Sequence, residues 1–227
     1  MEKAALFSVL NDWNFWDKDF PNLIVRMDYQ QMIEEYSASN EILLLKGVRR
    51  SGKSSLLINH MQHLHQKGIK KEELLYINFE DPRLHPELST NLLEQIQDVY
   101  KEFVNNETKP YLFLDEIQNL HLWEKWVLMQ YELNKAYIFI TGSSSKLLSK
   151  EFGTALSGRY LSINVYPLSF KEYLNFKNID LPTKSTFITN RTHYKIAFNS
   201  YIVDGGFPMV TLMTENLQKQ EIMMYYD

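Results

Sequence analysis

The chain has 227 residues, 44% of them hydrophobic, with 13 Phe, 14 Tyr and 4 Trp, which is enough apolar material for a sizeable core. A net charge of −4 and a pI near 5.9 disfavour a bare, strongly basic nucleic-acid module, while a local basic patch stays open. The lack of cysteine excludes disulfides, thiolate chemistry and cysteine-based zinc sites.

Met1–Phe7 lacks the long apolar stretch of a signal peptide. Apolar runs such as Ile42–Leu45 and Tyr137–Ile140 fall far short of a membrane span, so a cytoplasmic protein without a membrane partner is expected. The stretch to about Asn40 reads as a packed lead-in ending in a helix over Asp28–Tyr36. Glu41–Lys46 is the first clear strand, followed by a helix over Lys53–Gln66 with Leu56, Leu57, Met61 and Leu64 on one stripe. Leu74–Phe79 is a second strand, stopped by Asp81-Pro82. A helix capped near Ser89 to Asn91 follows, with Leu92, Ile96, Val99 and Phe103 as its apolar face.

Tyr111–Leu114 is a third strand ending in Asp115-Glu116. Ala136–Ile140 is a fourth, ending in Thr141-Gly142-Ser143, and Leu161–Tyr166 a fifth, stopped by Pro167. Ser169-Phe170-Lys171-Glu172 is a capping-box helix start, and Gly205-Gly206-Phe207-Pro208 marks a turn. Strands alternating with helices predict an α/β fold with a mainly parallel sheet. The expected division is a lead-in over 1–40, a nucleotide-binding core over 41–167 and a helical segment over 168–227.

The strongest chemical signal is Gly47-Val48-Arg49-Arg50-Ser51-Gly52-Lys53-Ser54, which satisfies G-x-x-x-x-G-K-[ST] between a strand and a helix. Its glycines let backbone N–H groups curl toward phosphate oxygens. Lys53 supplies a point charge for the β and γ phosphates of ATP, and the helix start adds its positive end. The phosphate-binding set runs from Gly47 through Ser55. The Ser54 hydroxyl can ligate Mg²⁺, and Asp115, at the end of a buried strand, can hold the same ion from the opposite side. Glu116 beside it is placed to polarise the attacking water.

The fourth strand's end has two readings. Ser143 or Thr141 senses the γ-phosphate, or Ser143-Ser144-Ser145 caps a helix starting near Lys146-Leu147-Leu148. Arg159, in Ser157-Gly158-Arg159, is either an arginine reaching a nucleotide across a subunit contact or an exposed loop residue. Phe20-Pro21 to Arg26 is a candidate approach to the adenine ring. His60, His63 and His65 read as an exposed polar face with no carboxylate or thiol spaced to complete a metal site. Trp123 and Trp126 read as packing residues rather than base-stacking platforms.

In combination these stretches resemble the prokaryotic AAA-type P-loop ATPases that usually carry a separate C-terminal domain of unknown function. The matching residues are Leu44-Lys46-Gly47 with Arg49-Arg50 and Gly52-Lys53-Ser54, Tyr76–Asp81, Phe113–Gln118, Thr141–Ser144, Leu156 with Gly158-Arg159-Tyr160, Pro167–Tyr173 and Gly205–Pro208. The resemblance covers nearly the whole chain. It implies a five-stranded sheet in the order 5-1-4-3-2, Glu116 as catalytic base and Ser143 as sensor. It also places Arg159 as a finger acting in trans within a homo-oligomer, and Asn78 as a restraint on Glu116. Such proteins continue well past the Gly-Gly-x-Pro region, so the helical segment over 168–227 is expected to be the start of a truncated lid or C-terminal domain.

The expected function is Mg²⁺-dependent ATP binding, with hydrolysis to ADP driving conformational change in an attached domain or neighbouring subunit. An ATP-gated switch or scaffold with little turnover is the alternative. A small-molecule kinase is a third reading, disfavoured by Glu116 and the sensor-like strand. Charge does not indicate a nucleic-acid partner and does not exclude one.

Overall fold

The structure is a computed structural model that describes residues 1–85, 88–143 and 156–213. Ser144, Ser145 and Lys146–Leu148 of the helix-cap reading lie outside them. The chain divides into two units, Met1–Gly47 with Lys53–Asn164, and Val48–Gly52 with the chain from Val165 on. In the first unit the elements run α1 (Lys3–Trp13), α2 (Met27–Ser37), β1 (Ile42–Gly47), α3 (Lys53–Gln66), β2 (Leu74–Asn78) and α4 (Thr90–Phe103). They continue with β3 (Tyr111–Asp115), α5 (Trp123–Glu132), β4 (Tyr137–Ser143) and β5 (Tyr160–Val165), whose last residue passes into the second unit. The strands form one sheet in the order β2-β3-β4-β1-β5, which is the expected order read from its other edge. The β2/β3, β3/β4 and β4/β1 pairs are parallel.

Strand residues alternate between the two faces, and both faces are covered, so these strands read as near-continuous apolar runs. Ile42, Leu44, Leu75, Ile77, Leu112, Leu114, Ile138 and Ile140 share one core with α1, α4 and α5. The opposite parity puts Phe113 and Phe139 together, their rings stacked at 4.7 Å, where His60 of α3 meets both at 6.3 and 5.0 Å. Burying α3 against this face, with α2 outside it, overturns the exposed reading of His60. The residue lies on the Leu56, Leu57 and Met61 stripe and is only 1% exposed.

Strand β4 runs to Ser143, farther than its apolar pattern, because Thr141 and Ser143 pair in register with Leu45 and Gly47 of β1. Start signals do not mark α1, whose first turn has no acidic residue and no side-chain N-cap. Its buried residues Leu6, Val9 and Leu10 fall at helical spacing. Trp123 and Trp126 are buried in the core as expected.

β2 is an edge strand, and its open backbone is paired by side chains of the lead-in. Asn14 accepts from the Tyr76 N–H at 2.7 Å and donates to the Tyr76 carbonyl at 2.9 Å, while Trp16 Nε1 donates to the Leu74 carbonyl at 3.0 Å. One amide thus does for Tyr76 what a neighbouring strand would do.

The second unit contains the helices α6 (Phe170–Phe176), α7 (Lys184–Thr189), α8 (Arg191–Asp204) and α9 (Pro208–Leu212). Ser169 and Glu172 form the expected capping box at the start of α6. The buried Tyr173 hydroxyl donates to Asp204 at 2.9 Å and joins α6 to α8. Gly206 has φ 71°, and a Cβ there would stand 2.8 Å from the Leu168 carbonyl, so only glycine fits the turn that ends α8. Among the described residues no helix is long and apolar enough to cross a membrane.

Two stability measurements follow. Asn14→Ala leaves the Tyr76 N–H and carbonyl without their buried partner, a loss expected to cost about 2–4 kcal/mol in urea unfolding. A loss below about 0.5 kcal/mol, within the range of ordinary surface substitutions, contradicts the edge-pairing role. Burial is the main cause that pushes the His60 imidazole from 6.5 down to about 3, and nearby His63 and Lys67 add to the effect while Glu34 opposes it. The folded chain therefore keeps His60 neutral where the unfolded chain protonates it, so its contribution is present above pH 6.5 and is lost as pH falls toward 3. Between pH 7 and 5 this amounts to about 2 kcal/mol. His60→Leu should lose that part of the slope, and parallel profiles for the two proteins contradict it.

Candidate active site

Pleat parity builds the site. Asp115 lies two residues past Phe113 and Thr141 two past Phe139, so both side chains fall on the α3 face of the sheet. α3 begins at Lys53 and Ser54, and Tyr76 of the neighbouring β2 shares the same parity. The chain brings these polar groups together there, and Asp115 is only 2% exposed.

The Asp115 carboxylate accepts from the Tyr76 hydroxyl at 2.5 Å and from the Thr141 hydroxyl, with the Ser54 hydroxyl beside it. Burial pushes this carboxyl above the usual range, and these neighbouring hydroxyls oppose the shift. The same burial, with the Asp115 charge beside it, drives the Tyr76 phenol well above its ordinary value and keeps it a donor. Thr141 has one proton, which goes to Asp115, and its oxygen accepts the Glu116 N–H at 3.0 Å. One fully buried hydroxyl therefore fixes two consecutive residues at the end of β3.

Glu116 has φ 54°, in the left-handed region where a side chain carries strain, and turns the chain into the 3-10 segment Ile117–Asn119. Its carboxylate accepts from Gln118 Nε2 at 2.5 Å and pairs with Lys53 Nζ at 3.4 Å. Lys53 is 3% exposed and also donates to the Gly47 carbonyl at 3.3 Å. Asn78 makes no hydrogen bond to Glu116 in this structure; its side-chain oxygen accepts the Glu80 N–H at 2.9 Å. Gln118 and Lys53 hold that carboxylate instead. The motif reading assigned no role to Tyr76 or Gln118. The parity that Tyr76 shares with Asp115 follows only from the β2/β3 register, and Gln118 had no signal beyond its place in the Phe113–Gln118 stretch.

Val48–Gly52 joins β1 to α3. Arg50 at φ 67° and Gly52 at φ 96° put left-handed residues two apart, the backbone alternation from which anion-binding nests are built. Ser51 N–H closes a turn on the Val48 carbonyl at 3.3 Å. Val48, Arg49, Arg50 and Ser55 are exposed, and Ser51 is buried. Ser143 sits opposite Gly47 in the β1/β4 register, at the start of this loop. Arg159 follows Gly158 at φ 74° and pairs with Glu132 at 3.1 Å, both side chains well exposed. Phe20 packs at 4.6 Å from Phe15, and Arg26 stacks over Tyr29 at 4.3 Å. Among the described residues no three His, Asp or Glu side chains cluster as a metal cage.

A family model described as "AAA domain" matches residues 39–174. An uncharacterised protein of Haemophilus influenzae is 35% identical over 205 residues, covering 90% of this chain and 49% of that protein. An uncharacterised protein of Methanocaldococcus jannaschii is 39% identical over 191 residues, covering 82% of this chain and 40% of that one. The chain thus spans about half the length, or less, of these relatives. Among solved structures, Caenorhabditis elegans PCH-2 is similar at 18% identity and a TM-score of 0.48, over 78% of this chain and 50% of that one. AMPPCP-bound DnaA from Aquifex aeolicus is similar at 15% identity and a TM-score of 0.45, over 83% and 66%. With the strand order, the residues around Asp115 and a family match over most of the sheet, the chain belongs to the AAA domain family.

Proposed function

We propose that the chain binds ATP with Mg²⁺ and hydrolyses it to drive conformational change in an attached domain or neighbouring subunit. The observation that carries this reading is the buried Asp115 carboxylate at the end of β3, with Ser54 of the first turn of α3 beside it. A carboxylate buried without a cation is costly, and that of Asp115 is offset only by hydroxyls, so the residues present fit a divalent ion.

In this reading the amides from Gly47 to Ser55, with the positive end of α3, hold the phosphates. Lys53 leaves Glu116 and the Gly47 carbonyl to bridge the β and γ phosphates. Ser54 and Asp115 hold Mg²⁺, which when bound neutralises charge on the phosphate oxygens. Glu116, freed from Lys53 and kept in place by Gln118, takes the proton of the attacking water. Ser143, beside Gly47, senses the γ-phosphate. Arg159 exchanges Glu132 for the nucleotide of a second copy and neutralises charge in trans.

Glu116→Gln tests the chemistry. It should keep ATP affinity within about two-fold and lower turnover by about 100-fold or more, the range of a lost general base. Lys53→Ala should lose ATP binding. Unchanged turnover in Glu116→Gln removes Glu116 as the base, and tight binding with negligible wild-type turnover favours the ATP-gated switch. In the same assay, specific activity that rises with protein concentration supports Arg159 in trans, and a flat line removes that role.

A further inference from the structure

A cavity of about 180 Å³ opens between α4, α5 and the sheet within the first unit. Its inner wall is apolar and includes Leu75, Leu93, Ile96 and Leu112. Leu112 lies three residues before Asp115 on β3, roughly 10 Å along the strand, so the cavity is separate from the Asp115 cluster. An engineered apolar cavity of about 150 Å³ admits one benzene ring, so the space here takes a single ring or a short alkyl chain.

The polar part of the lining has one sign. Lys101 and Lys135 stand at the mouth, both exposed, and neither has an ion-pair partner among the described residues. The lining contains no Asp or Glu. Trp126, 7% exposed, adds a buried indole N–H with no acceptor. The other polar groups at the rim are largely satisfied. The Tyr100 hydroxyl donates to the Glu72 carbonyl at 2.5 Å, and Asn105 bonds Tyr100 and Thr108 at 3.2 and 2.8 Å. Besides the neutral amide of Asn106 at the rim, what is left over is two ammonium groups and an indole N–H around an apolar chamber, so the only charge is positive.

We propose that this cavity is a binding site for a small amphipathic monoanion, a carboxylate carrying one ring or a short alkyl chain. The apolar body fills the chamber and the carboxylate meets Lys101 and Lys135 at the mouth. The site is independent of the nucleotide reading, since it shares no residue with the phosphate loop or the Asp115 cluster.

The test is a titration of the ¹⁵N-labelled full chain with phenylacetate, read at the indole N–H signal of Trp126, which Trp126→Phe assigns. Phenylacetamide is the neutral isostere and acetate the head group alone. The expected result is a saturable shift with phenylacetate at a dissociation constant of roughly 0.1–1 mM, a value in keeping with a ligand of this size. Phenylacetamide should bind at least about five-fold more weakly, and acetate should produce no shift. Lys101→Gln with Lys135→Gln should bring phenylacetate down to the level of the amide. Ala136→Leu, which fills the chamber, should abolish binding of both. Lys53→Ala should leave phenylacetate binding unchanged, so failure of the nucleotide reading does not touch this result. The proposal is overturned by the absence of a saturable shift, by equal binding of acid and amide, or by an unchanged affinity in the double lysine variant. It is also overturned by binding that survives in a folded Ala136→Leu protein. Should Ala136→Leu not fold, the double lysine variant, altered only at exposed side chains, decides.

Discussion

A carboxylate sealed from water has to be met by donors, and Asp115 is met by hydroxyls from both neighbouring strands. Tyr76 comes from β2 and Thr141 from β4, with Ser54 at the start of α3 beside them. Each of these elements is thereby referred to one point at the end of β3. Without the hydroxyls the buried charge would cost several kcal/mol. Thr141 carries the arrangement one residue further by accepting the Glu116 N–H, which helps to hold Glu116 in a left-handed conformation that costs about 1 kcal/mol or more. The strained residue and the buried charge are adjacent, and one hydroxyl serves both.

The pleat explains how this came to be legible from sequence. β3 reads Tyr-Leu-Phe-Leu-Asp, and a period of two sends Tyr111, Phe113 and Asp115 to the α3 face. A motif with Lys and Ser at a helix start then has a carboxylate on its own side of the sheet. Two adjacent residues, Asp115 and Glu116, could be read from the chain alone because the strand ends there. Tyr76 was not legible as a site residue, since in sequence it is one more aromatic in an apolar run. Its role appears only when the register sets Asn78 against Asp115. His60 failed for a related reason. Three histidines on one helix look solvated, yet two of them fall on different faces, and α2 covers the one that lies on the apolar stripe.

The lead-in shows what sequence patterns miss when side chains take the place of backbone. Asn14 closes α1, its side-chain amide donating to the Leu10 carbonyl, and nothing in Phe-Trp-Asp-Lys marks it as the partner of an edge strand. The pairing is long-range, between Asn14 and Tyr76, and local propensity says nothing about it. The consequence is functional as well as structural. Asn14 holds the backbone of Tyr76, and the hydroxyl of Tyr76 holds Asp115, so the edge pairing reaches the site through a single residue.

The account rests on Asp115 being a buried anion that gains a cation when nucleotide binds. Asp115→Asn tests this most directly, because it keeps the shape and removes the charge. The measurement is thermal stabilisation by ATP, in Mg²⁺ and in EDTA, for both proteins. The account predicts that Mg²⁺ enlarges the ATP-induced shift in the wild-type protein, and that Asp115→Asn keeps the EDTA shift but loses the Mg²⁺ increment. An Asp115→Asn protein with the full wild-type Mg²⁺ increment would contradict it.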